Sequence, residues 1–365
     1  EIQEFKELAT KIKFLVDEGS FRYVFSGSLL GVELKNIKSA PVGYLKTLTM
    51  YPLDFEEFLQ IYNFSDELRE SLHRSFVERE PVNESVHERM MSIFNMYLNV
   101  GGMPSAVEKF KETRNLEDVM AEHDDIAVQY KKDFTRYETE EKKPYLTRIY
   151  DLIPAELNDS NKRFNFADLK KGLQYSRSEE SFVWLANAGV ALPVYNVAAP
   201  AIPLLLNEKS SLFKLFLSDV GMLTTMYGRA TKMQLLSENR DINNGALYEN
   251  AVAQELRAHG FKLYYYNSKK FGELDFVIEY KGRVLPIEVK SGKNYRRHSA
   301  LSNVMEISNY SIDEAFVLSN FNVEVVDNIV YYPIYMLMFI EEDEIELPKV
   351  ELDDLSGIEF DSDKM

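Results

Sequence analysis

Gly272-Glu273-Leu274-Asp275-Phe276-Val277-Ile278-Glu279-Tyr280-Lys281-Gly282-Arg283-Val284-Leu285-Pro286-Ile287-Glu288-Val289-Lys290 reads as a β-hairpin. Residues 274–280 and 284–289 are strand-like and are joined by Lys281-Gly282, a two-residue turn of the kind hairpins favour. Asp275 lies near the start of one strand and Glu288 near the end of its partner, which predicts that the two carboxylates stand side by side. Side chains alternate along a strand, so Glu288 and Lys290 share a face while Val289 points into the core. Carboxylate oxygens suit hard cations such as Mg²⁺ or Mn²⁺. Lys290 is then placed to orient an attacking water or to stabilise developing charge on a phosphate. Glu-x-Lys alone means little, because alternating charge is usual on a solvated strand. Here Phe276, Val277, Ile278, Val284, Leu285 and Ile287 flank the charges, so these interrupt strands that look buried. Two readings stay open, a metal-dependent phosphodiesterase site and a surface charge pair.

Working outward, residues 245–259 have the spacing of a helix ended by Gly260, and Glu249 on it is placed to supply a third carboxylate. Strand-like residues 262–266 follow it, and Tyr264-Tyr265-Tyr266 fits a half-buried strand better than a base-stacking platform. A helix is expected over 301–307 and a strand over 314–318. Upstream, residues 65–140 are helical apart from the break at Gly101-Gly102-Met103-Pro104, and helices are expected over 146–157, 166–172 and 178–188. Short strand-like runs at 190–198 and 214–217 come next. Helices followed by a small β wing suggest a winged-helix module, with a helical connector plus hairpin as the equal alternative. Nearer the start, a helix is expected over 5–15, strands over 21–25 and 44–50, and a helix over 54–62 after Pro52. Ser26-Gly27-Ser28 then falls at a strand's C-terminal end, where α/β folds bind ligands. Trp184 reads as core, and His259 as a helix-end residue favoured by the dipole.

The 365 residues suffice for two or three domains with proper cores, and 45% hydrophobic with 28% charged residues is ordinary for a folded chain. No cysteine occurs, which excludes disulfides, thiolate zinc sites and cysteine nucleophiles and fits a reducing compartment. Five His make a histidine-rich metal site improbable, and the apolar run 331–340 is too short to span a bilayer. A cytoplasmic protein without a membrane partner is the expectation. The start Glu1-Ile2-Gln3-Glu4-Phe5, without Met or a signal pattern, reads as that of a fragment.

A net charge of −17 argues against nucleic-acid binding by the whole chain. Its distribution matters more. Residues 341–365 hold eleven acids against Lys349 and Lys364 and read as a solvated acidic tail. Between Lys262 and Arg297 nine basic residues face four acids, so that segment keeps an electrostatic case for phosphates.

Glu249, Gly272-Glu273-Leu274-Asp275 and Ile287-Glu288-Val289-Lys290 resemble the PD-(D/E)XK nuclease superfamily, with Leu274 where that family usually has Pro. The resemblance implies that Asp275 and Glu288 bind Mg²⁺ or Mn²⁺, that Lys290 is the catalytic lysine and that Glu249 is the helix acid. More of the chain resembles prokaryotic AAA+-type P-loop ATPases that end in such a domain. Glu1-Ile2-Gln3 is similar to the end of their Walker B motif and Phe25-Ser26-Gly27-Ser28 to sensor 1. Pro52-Leu53-Asp54-Phe55-Glu56-Glu57-Phe58 is similar to their Pro-Leu-x-Phe-x-Glu-Phe segment, and residues 214–223 to their Asp-x-Gly-Leu stretch. That resemblance gives Glu1 the role of polarising the hydrolytic water and Ser26 or Ser28 that of the γ-phosphate sensor, with ATP as cofactor in a complete chain. No Gly-x-x-x-x-Gly-Lys-Ser/Thr occurs in these residues, so this chain by itself is not expected to hydrolyse ATP.

The expected fold is therefore α/β and multidomain: the C-terminal part of a P-loop ATPase core (1–62), a helical lid (63–140), a winged-helix-like unit (141–235), a restriction-endonuclease-like α/β domain (236–340) and an acidic tail (341–365). The expected function is that of an ATP-binding AAA-type ATPase carrying a Mg²⁺-dependent nuclease-like domain that acts on or binds DNA, with self-association by analogy. The alternative is a nucleotide-switched module that binds nucleic acid or protein without cutting.

Overall fold

The computed structural model describes residues 6–27, 44, 46–137, 143–159, 161–169, 175–237 and 244–342. Helix α1 (Lys6–Glu18) comes first; the described residues 19–27 and 46–54 form no helix or strand, and α2 (Phe55–Leu59) runs into a 3₁₀ turn, Gln60–Tyr62. Asp54 caps α2: its carboxylate accepts from Glu57 N at 2.8 Å while Glu57 bonds back to Asp54 N, a reciprocal capping box. Helices α3 (Asp66–Glu78), α4 (Glu84–Val100), α5 (Pro104–Thr113) and α6 (Leu116–Tyr137) follow, then α7 (Lys143–Asn158), α8 (Phe166–Leu169) and α9 (Tyr175–Asn187). The hairpin β1 (Ala191–Val197) and β2 (Glu208–Leu217) leads to α10 (Val220–Tyr227), α11 (Arg229–Leu236) and α12 (Gly245–Ala258). The chain closes with β3 (Tyr264–Ser268), β4 (Gly272–Tyr280), β5 (Arg283–Lys290), α13 (Ser299–Met305), β6 (Ala315–Ser319), β7 (Glu324–Val326) and β8 (Ile329–Pro333).

The eight strands of the described residues form one mixed sheet in the order β2-β1-β3-β4-β5-β6-β8-β7. The β4–β5 hairpin forms as expected. Tyr280 pairs with Arg283, and Lys281 and Gly282 both take positive φ (51° and 70°), the geometry that a two-residue turn between right-twisted strands requires. One large core runs from Phe55 through α4, α7 and α12 to the sheet face bearing Tyr265, Phe276, Ile278 and Ile287. A smaller core lies on the other face, where Leu274, Val277, Val284 and Val317 pack with Leu301 and Val304 of α13. Phe55, Phe58 and Tyr97 are almost fully buried against one another, each contributing about 2 to 3 kcal/mol of apolar burial.

Three expectations need correction. Residues 21–25 and 46–50 are not strands. A strand exists by pairing with a neighbour, and among the described residues nothing pairs with either run. Their apolar side chains stay outside the core, with Val24 93% and Met50 95% exposed. The hairpin read as the wing of a separate unit is instead the edge of the C-terminal sheet, because β1 pairs in parallel with β3 (Tyr195 with Tyr264). The sheet therefore crosses the boundary expected between residues 235 and 236.

The glycine break after α4 has a packing reason. Gly102 N donates to Asp219 Oδ2 at 2.6 Å, and Leu53 N donates to Gly102 O at 2.7 Å. Asp219 also caps α10 through Met222 N. This junction brings the segment before α2, the end of α4 and the start of α10 together, and it leaves no room for a side chain at residue 102.

Candidate functional site

The hairpin's charges lie at the end of β4 and β5 away from the turn. On β5, Ile287 and Val289 enter the large core, so the alternating Glu288 and Lys290 point to the opposite face. Their side chains pair, with Lys290 Nζ 2.7 Å from Glu288 Oε1. Glu288 is 5% exposed and its Oε2 has no hydrogen-bond partner. Burial raises its pKa, and the nearby Asp275 charge adds to the rise while Lys290 opposes it. Lys290 is held charged: burial works against the ammonium, but Glu288 and Asp275 outweigh it and raise its pKa.

Asp275 is set by a β-bulge. Tyr264 pairs with Val277 and Tyr266 with Leu274, so Asp275 and Phe276 together lie opposite the single residue Tyr265. A bulge re-aims the side chain it carries. Asp275 Oδ2 accepts from Val289 N at 2.9 Å, and Oδ1 lies 4.0 Å from the ammonium of Lys214 on β2. Lys214 is fully buried, passes over the Tyr265 ring at 5.0 Å, and reaches Glu273 Oε1 at 2.7 Å and Glu249 Oε2 at 3.8 Å. Burial disfavours its charge, yet Glu249, Asp275 and Glu273 overcome that and raise its pKa. Glu249, on α12 and 2% exposed, also bonds Lys162. Its pKa is raised by burial first and by Asp275 second.

The structure thus brings together four of the residues expected from sequence: Glu249, Asp275, Glu288 and Lys290. Asp275 lies between the other two acids and acts electrostatically on both. Glu1 and Ser28 lie outside the described residues, and Ser26 is exposed in an irregular segment rather than at a strand end. Sequence reasoning missed Lys214, Lys162 and the part played by Glu273. A signal existed for Lys214, a lone charge inside Leu212-Phe213-Lys214-Leu215-Phe216-Leu217.

The donor chemistry suits a hard cation, since Glu249 Oε2 and Glu288 Oε2 are buried carboxylate oxygens without a hydrogen bond. Their arrangement is a pair around Asp275 rather than a closed triad. Among the described residues no group of three acidic or imidazole side chains is placed to hold a metal ion. Several basic residues of the segment 262–297 are spent on acids: Arg283 pairs with Asp313, Arg296 with Glu324 and Lys290 with Glu288. Tyr264, Tyr265 and Tyr266 are all buried and serve the two cores.

A second buried cluster joins the segment before α2 to α12. Glu255 Oε1 accepts from Phe55 N at 2.7 Å and from the Tyr97 hydroxyl at 2.9 Å. His259, at the C-terminal end of α12, has Nε2 3.7 Å from Asp54 Oδ2 and 3.9 Å from Glu255 Oε2. Burial pushes Glu255 up to about 8. Burial alone would lower His259, but Asp54 and Glu255 raise it to about 9. Glu249 and Glu255 lie on the same helix, so α12 connects this cluster to the acidic site.

Comparison with known families divides the chain in three. Residues 1–59 match the model of an AAA domain, and that match ends at Leu59, the last residue of α2. Residues 91–233 match a domain of unknown function, DUF8612, and residues 244–337 another, DUF4143. No curated protein and no solved structure matches the chain. The first 59 residues are therefore similar to a nucleotide-binding, ATPase-like module, and use of ATP with Mg²⁺ is consistent with that similarity. The described residues are α/β, with many helices around one eight-stranded mixed sheet. The sheet joins the two domains of unknown function, since β1 and β2 come from the first and β3 to β8 from the second. Among the described residues no helix is long and apolar enough to cross a membrane.

Proposed function

We propose that this chain links an ATPase-like segment to a Mg²⁺- or Mn²⁺-dependent nuclease-like domain that acts on DNA. The observation that carries the reading is buried Glu288, which pairs with half-buried Lys290 beside Asp275 and keeps one carboxylate oxygen unsatisfied. A structural ion pair would gain nothing from a buried, unpartnered oxygen, which costs about 1 to 3 kcal/mol. Asp275 and Glu288 would hold the cation, whose chemistry is to polarise a scissile phosphate. Lys290 keeps its proton and supplies a fixed positive charge on the face that Glu288 shares, where it orients a water or meets charge developing on the phosphate. Glu249 acts behind Asp275, its charge balanced by Lys162 and Lys214.

A second reading, a nucleotide-switched module that binds DNA or protein without cutting, is favoured by two observations. Lys214 already neutralises part of the acidic cluster, and no three described acids are placed to hold a metal ion. The two readings separate in one experiment. The chain is incubated with linear, nicked and branched DNA in Mg²⁺ or Mn²⁺, and DNA binding is followed in parallel by fluorescence anisotropy. The nuclease reading expects cleavage by the wild type, its loss in Asp275→Asn, and little change in binding. Binding without cleavage of any substrate in Mn²⁺ overturns it in favour of the non-cutting module.

A further inference from the structure

A cavity of about 400 Å³ opens at the end of β5, within the size range of small-ligand sites. Its place follows from the chain. Ser291 comes directly after Lys290, and Asn320 directly after Ser319, which pairs with Lys290 in the sheet. Both line the cavity, together with Ser92 of α4, Gln234 of α11 and Asn244 before α12. Met91 and Leu235 supply apolar walls and belong to the large core, whereas Lys290 points to the opposite face. Among the described lining residues only Glu88 and Arg89 are charged, and both are exposed. The hydrogen-bonding groups of the cavity are largely unspent. Ser291 is 7% exposed, and its hydroxyl makes no hydrogen bond among the described residues. Asn320 donates to the Ser291 carbonyl at 3.0 Å, but its Oδ1 is buried without a partner. Asn244 holds the N-cap position of α12, yet its side chain caps nothing. Arg89 has neither a hydrogen bond nor an ion pair among the described residues. Buried polar groups are seldom left unpaired in native proteins, so these call for a ligand with donors and acceptors of its own. Neutral amides and hydroxyls between apolar walls suit a nucleobase, which has a polar edge and a flat apolar face. The phosphate of the same nucleotide would meet cations only outside the cavity, at Lys290 and Arg89.

We propose that this cavity takes one unpaired nucleobase of the DNA, from a nucleotide beside the phosphate that faces Lys290. The DNA backbone then rounds the end of β5, with its phosphate on the Lys290 side and the base on the other. Taking a base out of a duplex is costly, and least so where the base is already unpaired. The substrate class is therefore DNA with unpaired bases, such as single strands, gaps and flaps. The inference rests on the reading of Lys290 as a phosphate-facing residue and adds the substrate class to it.

The test uses a duplex with a short single-stranded gap whose unpaired bases are 2-aminopurine, and the same duplex with abasic sites in the gap. Both are titrated with the full chain in EDTA, which prevents cleavage. The 2-aminopurine fluorescence is expected to rise on binding, because the base leaves its stacked neighbours for a cavity whose described lining holds no aromatic ring to quench it. The wild type is expected to bind the gapped duplex about tenfold or more tightly than the abasic one. Ser92→Phe fills the cavity from the surface of α4. It is expected to abolish the rise and to lower the affinity to that for the abasic duplex, with abasic binding unchanged. If Ser92→Phe fails to fold, Asn244→Leu takes its place, since that side chain caps nothing; a weaker rise and affinity are expected. Equal affinity of the wild type for the two duplexes overturns the proposal, as does a rise that survives in the variant. Cleavage of the same DNA in Mn²⁺ is read separately. A rise without cleavage keeps the base site and removes the nuclease reading, whereas cleavage without a rise overturns the base site alone. A wild type that binds neither duplex overturns both.

Discussion

Replacing His259 with Gln should remove a pH-dependent part of the protein's stability. The imidazole is 10% exposed. Its Nδ1 donates to the Ile340 carbonyl at 2.8 Å, which leaves Nε2 facing Asp54 and Glu255. Burial opposes the imidazolium, but the Asp54 hydrogen bond and the Glu255 charge raise its pKa from 6.5 to about 9. The folded protein therefore holds this proton more tightly than the unfolded chain does. The resulting stability is fully present below pH 6.5 and drains away as pH rises towards 9. At about 1.4 kcal/mol per pKa unit, a shift of roughly 2.5 units amounts to about 3 kcal/mol. Glu255, raised to about 8 by burial, also loses stability with rising pH, from its ordinary value near 4.5 upwards. Since His259 lowers the Glu255 pKa, Glu255 rises further in the variant, and the difference reads the coupled pair. Urea unfolding at pH 6, 7.5 and 9 measures the difference, followed by far-UV circular dichroism and by the fluorescence of Trp184, the single tryptophan. The gap between wild type and His259→Gln should be largest at pH 6 and should close towards pH 9. A gap that is the same at both ends would refute the account of an imidazolium clamped between the segment before α2 and helix α12.

Two further outcomes follow from packing and charge. Gly102→Ala should destabilise by about 4 kcal/mol or more, because the added Cβ overlaps the Leu53 carbonyl, a backbone atom that cannot swing aside; a melting temperature within two or three degrees of the wild type would contradict this. Lys290→Met should cost about 3 kcal/mol at pH 9, where Glu288 is left charged and buried without its partner, and part of that loss should return towards pH 7 as the carboxyl, pushed up to about 8 by burial, takes up a proton; denaturant melts at the two pH values check both the size and the sign.

Much of the site was legible because local rules govern it. The Lys281-Gly282 turn sets the register of β4 against β5, and register decides that Glu288 and Lys290 share a face. The periodicity of residues 245–259 places Glu249 on a helix. Asp275 was legible as a residue but not in its aim, because the bulge opposite Tyr265 is a mismatch between two strands and appears in neither alone. Residues 21–25 and 46–50 misled for a related reason. Their composition suits strands, but composition does not supply the neighbour that a strand needs.

What the sequence by itself determined is the hairpin, the helix before it, the apolar flanks of the Asp275, Glu288 and Lys290 charges, and the glycine break at Gly101-Gly102. Each follows from side-chain period, turn chemistry or an apolar run over a few adjacent residues. Only the tertiary structure decided that β1 and β2 extend the C-terminal sheet, that Asp54, Glu255 and His259 clamp two distant segments, and that Lys214 enters the acidic cluster. Those outcomes depend on which strands lie side by side across long chain separations. Strand order is set by the burial of whole faces, and the ammonium of Lys214 is retained there because the buried carboxylates around it outweigh the cost of its desolvation.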